Sequence, residues 1–181
     1  MALELNGTTG VSAVQAGAVE SGDLASGAIG SGDLPAGSVI QVVESIYTGG
    51  SVFSNSTSYV NPINLTATIT PISTSSKILI QVHFSFVQDD SNGAGAFCGV
   101  KRNGSLIFDE FWGKDETYGQ ATHTVNICRL DNPSSTSSLS YEPVVKTTNS
   151  NGDFRLNPKT SGKEAEQGNG FTNILLMEIA G

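Results

Sequence analysis

Hydrophobic residues recur at every fifth position between residues 13 and 39, in the stretch AVQAGAVESGDLASGAIGSGDLPAGSV. The apolar positions of this repeat are Val14, Val19, Leu24, Ile29, Leu34 and Val39, and the glycine positions are Gly17, Gly22, Gly27, Gly32 and Gly37. A period of five matches neither the period of about 3.6 residues of a helix nor the period of about 2 of a strand. The repeat therefore predicts that this segment forms neither an ordinary α-helix nor an ordinary β-strand.

A single chain gains too little by ordering this repeat. Each block contributes one Val, Leu or Ile, whose full burial stabilises by ~1.5–3 kcal/mol. Fixing the backbone costs roughly 1–2 kcal/mol per residue, and the glycines raise that cost. A flexible linker would need the composition but not the strict register, and five blocks form too few layers for a solenoid core. We therefore predict that residues 13–39 form an intertwined shaft of identical chains, with the six apolar positions as its core.

From residue 40 onward, strand patterns replace the repeat. Residues 77–87, KILIQVHFSFV, alternate so that one face carries Ile78, Ile80, Val82, Phe84 and Phe86, and the other face is partly polar. NLTATITPI alternates in the same way until Pro71 ends it. The last run, GFTNILLMEI, is almost continuously apolar, which is typical of a central strand paired on both sides.

Two Asn-Gly pairs between strand-like runs, Asn103-Gly104 and Asn151-Gly152, predict β-hairpins with type I′ turns. In total, the patterns indicate about eight to ten strands and no helix. Residues 40–181 are therefore predicted to form an all-β head, either a β-sandwich or a jelly-roll-like domain.

Charge narrows the choice of partner. The chain has a net charge of -8 and only 14% charged residues, and its basic residues form no cluster. Nucleic acid and anionic membrane surfaces are therefore unexpected partners, because both need clustered Lys and Arg. No apolar run is long enough to insert in a membrane, and residues 1–10 show no signal-peptide pattern.

Metal and cofactor chemistry has little support in the sequence. Cys98 and Cys128 lack close ligand spacing and are predicted to be free, buried thiols, with a cross-strand disulfide as the alternative. His83 and His123 are predicted to be hydrogen-bonded structural residues, although one histidine from each of three chains could bind a metal on a trimer axis. Asp89-Asp90 is predicted to be a polar turn rather than part of a calcium site. We expect no cofactor and no metal.

The segment FDEFWGKDETYG, residues 108–119, is predicted to be a loop and is the candidate binding site. Its candidate residues are Asp109, Glu110, Phe111, Trp112, Asp115, Glu116 and Tyr118. Aromatic faces beside carboxylates suit a sugar, whose C–H groups stack on rings while its hydroxyls donate to acids. The alternative is that the only tryptophan anchors the loop or lies at a trimer contact. Glycoside hydrolysis is not expected, because adjacent acids on a strand point to opposite faces.

Several segments in order resemble tail-fibre proteins of tailed bacteriophages, most closely those of phages that infect marine cyanobacteria. These segments are MALELNGTTGVSAV, the repeat, LPAGSVIQVV, TATITPISTSSKILI and ILLMEIAG. The resemblance is strongest in the first 90 residues and the last ten, and residues 90–168 show no matching signature.

This resemblance implies a homotrimer in the virion tail, assembled in the bacterial cytoplasm. Residues 1–12 would attach to a tail or adaptor protein, and the head would bind a host surface glycan or outer-membrane protein without catalysis. The alternatives are a structural virion adaptor or decoration fibre without a receptor and, less favoured, a polysaccharide-degrading tailspike.

Overall fold

The computed structural model describes residue 30 and residues 33–49, 52–89, 95–114, 120–150, 153–156 and 171–181. The chain divides into two compact units, Met1–Pro35 and Ala36–Gly181. In the first unit, the backbone N–H of Gly30 donates to the carboxylate of Asp33 at 2.8 Å. The predicted attachment segment 1–12 and the shaft positions Val14, Val19, Leu24 and Ile29 lie outside the described residues.

The second unit is built from strands. They are β1 Val39–Tyr47, β2 Val52–Ser54, β3 Ala67–Ile69, β4 Lys77–Asp89, β5 Gly95–Arg102, β6 Ser105–Lys114, β7 Gln120–Asp131, β8 Leu139–Thr147, β9 Asp153–Leu156 and β10 Thr172–Ile179. No α-helix occurs in the described ranges. The prediction of an all-β head with eight to ten strands is confirmed.

β4 organises a six-stranded antiparallel sheet. Along one edge it pairs with β7 from Ile78 to Asp89. Along the other edge it pairs first with β10 and then with β9, and β1 and β2 lie beyond these two strands. The C-terminal strand is thus enclosed between β1 and β4, as its apolar sequence predicts.

The second sheet has four antiparallel strands in the order β3-β8-β5-β6. Asn103 and Gly104 connect β5 to β6 with φ values of 48° and 80°, which confirms the first hairpin. The second predicted hairpin is wrong, because β8 and β9 belong to different sheets. β8 already pairs with β3 and β5, so the chain after β8 joins the other sheet, where β9 pairs with β2 and β4.

The hydrophobic core lies between the two sheets, so the head is a β-sandwich. The inward face of β4 contributes Ile78, Ile80, Val82, Phe84 and Phe86, each at most 2% exposed, as the alternation predicts. The four-stranded sheet faces them with residues that include Ala96, Cys98 and Tyr141.

Val39, which the sequence assigns to the shaft core, is also the first residue of β1 and pairs with Ile179, because β1 extends the sheet beyond β10. Two sequence predictions need correction. Residues 108–114 are not a loop but the last seven residues of β6. Cys98 and Cys128 are both free, but Cys128 is exposed, since Val125 and Ile127 take the inward positions of β7.

Candidate functional site

The outward face of the four-stranded sheet carries a cluster of aromatic and charged side chains. Ala96, Cys98 and Val100 of β5 point into the core, so Phe97 points outward. Its cross-strand partners are Phe111 of β6 and Lys146 of β8. We call the set Tyr59, Phe97, Asp109, Phe111 and Lys146 the aromatic platform.

The rings and the ammonium group of the platform form one continuous row. Lys146 Nζ lies 4.4 Å from the centroid of the Phe97 ring and 4.5 Å from that of the Tyr59 ring. The Phe97 and Phe111 rings are 4.9 Å apart and tilted by 55°. Cation–π contacts of this kind contribute about 0.5–1 kcal/mol at exposed sites, and tilted aromatic pairs contribute about 0.5–1.5 kcal/mol. The row is therefore preorganised before any ligand arrives.

Tyr59 is held in the platform at both its backbone and its side chain. Its neighbour Val60 exchanges backbone hydrogen bonds of 3.0 and 2.9 Å with Val145 of β8. Lys101 Nζ donates to the Tyr59 carbonyl at 3.0 Å. The phenol donates to the carboxylate of Asp109. Partial burial, and then the Asp109 carboxylate, raise the pKa of Tyr59 above its ordinary value, so the phenol remains a proton donor.

The platform includes two residues of the segment predicted from the sequence, Asp109 and Phe111. Glu110 lies elsewhere, because it pairs with Arg129 of β7 in the other sheet. Trp112 has its backbone in β6 and its side chain outside the described part of the structure. Asp115, Glu116 and Tyr118 are also outside the described residues. The structure thus separates the adjacent acids Asp109 and Glu110, as the sequence argument expects of a strand.

Sequence reasoning missed Tyr59, Phe97 and Lys146. Phe97 could have been found from the alternation of GAFCGV, in which it stands between Ala96 and Cys98. Tyr59 and Lys146 could not, because their neighbours depend on which strands pair and in which register.

The other sheet has a shallow concavity of about 250 Å³ on its outward face. Gln81, His83, Asn126, Cys128, Asn173 and Leu175 line it. His83 Nδ1 hydrogen-bonds Asn126 Oδ1 at 2.9 Å, and the imidazole stacks on Phe171 at 4.5 Å between ring centroids. His83 is therefore hydrogen-bonded, as the sequence predicts. The side chain of His123 is not among the described parts of the structure.

Exposed aromatic faces beside a carboxylate and an ammonium group can bind a polar ligand that has apolar faces. Among the described residues, no group of three or more His, Cys, Asp or Glu side chains could hold a metal ion. The described part of the chain contains no helix long and apolar enough to span a membrane.

Comparison with known proteins gives no family for this chain. No protein-family model matches it, and no curated protein does. Among solved structures, the chain is similar to dimeric latent PorU from Porphyromonas gingivalis, with 12% identity and a TM-score of 0.32. That similarity covers 81% of this chain but only 14% of the PorU chain, so it carries no functional argument.

Proposed function

We propose that the protein is a tail-fibre protein of a tailed bacteriophage that attaches the virion to a host cell by non-catalytic binding. The sequence resemblance motivates this function and implies a homotrimer, and the five-residue repeat favours a shaft of intertwined identical chains. The observation that carries the binding role is the aromatic platform, a preorganised row on an outward sheet face. The proposed partner is a host surface glycan, with an outer-membrane protein as the alternative receptor.

The platform has the groups that a sugar needs. Phe111 is 54% exposed and offers a free aromatic face to the C–H groups of a pyranose ring. The carboxylate of Asp109 accepts hydrogen bonds from sugar hydroxyls, and Lys146 donates to sugar oxygens or to acidic substituents. Catalysis is not proposed, because the carboxylates of Asp109 and Glu110 have different partners in different places.

Weak single sites suffice if the protein is trimeric. A trimer presents three copies of the platform to a repetitive surface, and linking sites in this way can raise the overall affinity by roughly 10²–10⁴-fold. The shaft would keep the platforms away from the virion, so that they reach the cell together.

A binding measurement with purified lipopolysaccharide tests this function. Full-length protein is titrated by biolayer interferometry against lipopolysaccharide from a panel of marine cyanobacterial strains. Phe111→Ala should weaken binding about tenfold per site, because it removes the largest exposed ring of the platform. Deletion of residues 105–120 is unsuitable, because it would remove all of β6.

Ile72→Ala is the matched control, because it also truncates an exposed apolar side chain (54% exposed) but lies outside the platform. It should bind like the wild type. Wild-type binding by a folded Phe111→Ala variant would rule out the platform as the binding site. Full-length protein that neither binds lipopolysaccharide nor competes with phage adsorption would favour a structural fibre without a receptor.

A further inference from the structure

An apolar row crosses the outward face of the six-stranded sheet. The strand registers place Val42 of β1 beside Met177 of β10, Met177 beside Leu79 of β4, and Leu79 beside Leu130 of β7. Val42 is 57% exposed and Leu130 is 55% exposed. Four adjacent strands thus present one row of large apolar side chains to the outside.

Other exposed apolar residues of the head concentrate on the same face. Val39 and Ile46 of β1 lie outward beside Ile179 and Asn173, and Phe171 stacks on the outward His83. Of the nine large hydrophobic residues exposed in the described part of the chain, five are on this face: Val39, Val42, Ile46, Leu130 and Phe171. The row from Val42 to Leu130 is contiguous, and contiguous exposed apolar patches are often interaction sites.

The charge on this face favours another copy of the same chain. Among the described outward residues of β1, β10, β4 and β7, the charged ones are Glu44 and Lys77, which have opposite signs. The whole chain has a net charge of -8, so two copies repel over most of their surfaces. A face without net charge is where copies can approach at the lowest electrostatic cost.

The sequence connects this face to the repeat. Val39 is both the last apolar position of the five-residue period and the first outward residue of β1. The preceding apolar position, Leu34, is also exposed, at 38%. The five-residue period ends at Val39, because its next position is Glu44. Val42 and Ile46 then continue the apolar surface on the outward face of β1. Since Val39 belongs to both the repeat and β1, copies that associate through the repeat have the beginning of β1 close to its last apolar position.

The size of the face explains why the repeat is needed. Four strands about 4.8 Å apart, with outward side chains about 6.8 Å apart along each strand, cover roughly 400 Å². A stable interface buries about 800 Å² per partner. The face alone is therefore too small to hold copies together, but it is large enough to fix the packing of copies already joined by a shaft.

The geometry points to the outward face of β1, β10, β4 and β7 as a self-association surface, whose occupant is a second copy of this chain. This inference rests on the homotrimer of the proposed function and specifies which face the copies share. Cys128 lies on this face beside Gln81 and is exposed in the single chain, whereas Cys98 is fully buried. The thiol of Cys128 is thus a native reporter of coverage.

Two measurements on the full-length protein test the surface. Sedimentation velocity at about 10–100 μM gives the mass of the wild type, Val42→Lys, Leu130→Lys and the control Leu106→Lys, whose side chain is 40% exposed on the other sheet. Alkylation with N-ethylmaleimide gives the rate of modification at Cys128, with Cys98 as the unreactive internal reference. Circular dichroism verifies that each variant is folded.

We expect a multimeric wild type in which Cys128 is alkylated at least tenfold more slowly than in Val42→Lys or Leu130→Lys, both of which keep the wild-type mass because the shaft still joins the copies. Leu106→Lys should behave like the wild type. A wild-type multimer in which Cys128 is alkylated as fast as in both face variants would contradict the self-association surface but not the proposed trimer. A monomeric wild type would overturn both the surface and the trimer. If the face variants do not fold, rapid alkylation of Cys128 in a wild-type multimer would still overturn the surface.

Discussion

Arg102, Asp131 and Tyr141 join the two sheets through one carboxylate. Arg102 Nη1 lies 2.8 and 2.6 Å from the two oxygens of Asp131 at the end of β7. The Tyr141 phenol of β8 donates to the same carboxylate at 2.7 Å, and its side chain is fully buried. Without this acceptor the buried phenol would lose its hydrogen bond to Asp131, so the contact fixes how the sheets meet.

Tyr141→Phe should lower the free energy of unfolding at pH 7 by about 1.5–3 kcal/mol. The ring stays in place, but a hydrogen bond to a charged acceptor is lost. Urea unfolding of the full-length protein measures the difference. Equal stability of the variant and the wild type would contradict the account of this contact.

The stabilising effect of the Tyr141 hydroxyl should depend on pH. Burial, and then the Asp131 carboxylate, raise the pKa of Tyr141 in the folded state. The contribution of the Tyr141 hydroxyl to the free energy of unfolding is therefore complete below about pH 10, the ordinary pKa of tyrosine. It declines as the pH rises from there toward the raised pKa of the folded state. The stability difference between wild type and Tyr141→Phe should shrink above pH 10. A difference that stays constant up to pH 11 would contradict this assignment.

At the scale of elements, close contact between β5 and β6 leaves no room for a side chain at Gly99. A Cβ there would lie 2.7 Å from the carbonyl oxygen of Phe108 and 3.1 Å from the Cβ of Asp109. Gly99 therefore sets the spacing of the strands that carry Phe97 and Asp109.

Gly99→Ala should lower the free energy of unfolding by about 1–3 kcal/mol, the usual cost of overpacking. This cost exceeds the gain of about 0.4–1 kcal/mol that a Gly-to-Ala change gives where the site has room. Thermal unfolding compares Gly99→Ala with the wild type, and a Gly99→Ala variant at least as stable as the wild type would refute the close packing.

Alternation and turn chemistry predicted the elements that depend on local sequence. The buried face of β4, the Asn103-Gly104 hairpin and the central place of β10 all follow from short windows. β10 also shows the limit of this reasoning: its nearly continuous apolar sequence alternates in burial, and Glu178 is fully buried with Oε1 accepting from the Ile72 backbone at 2.7 Å. The donor to that oxygen is 106 positions away in the sequence, so no short window could have predicted this contact.

The candidate site was predictable in part for the same reason. Asp109 and Phe111 are predictable because aromatic and acidic residues are concentrated in one segment, although residues 108–114 of that segment form a strand and not a loop. Tyr59 and Lys146 meet only because residues near Val60 bridge to β8 and β8 pairs with β5. Register between distant strands is set by the packed core, which no short window contains.

At the scale of the whole molecule, the two sheets have different outward faces. One presents the aromatic platform and the other presents an apolar row without net charge. In the proposed fibre, the apolar row holds the copies in place, and each copy then presents its platform to the cell. Binding strength would therefore depend on assembly, because avidity requires several platforms on one particle.

Sedimentation equilibrium of the intact chain tests the self-association of the repeat most directly. A variant with Val19, Leu24 and Ile29 replaced by Ser removes three apolar positions and keeps the length and the glycines. We expect a wild-type mass three times the single-chain value of 18.8 kDa and a variant mass close to the single-chain value. A wild type that sediments as a single chain at about 100 μM would contradict the account, and so would a variant that keeps the full trimer mass.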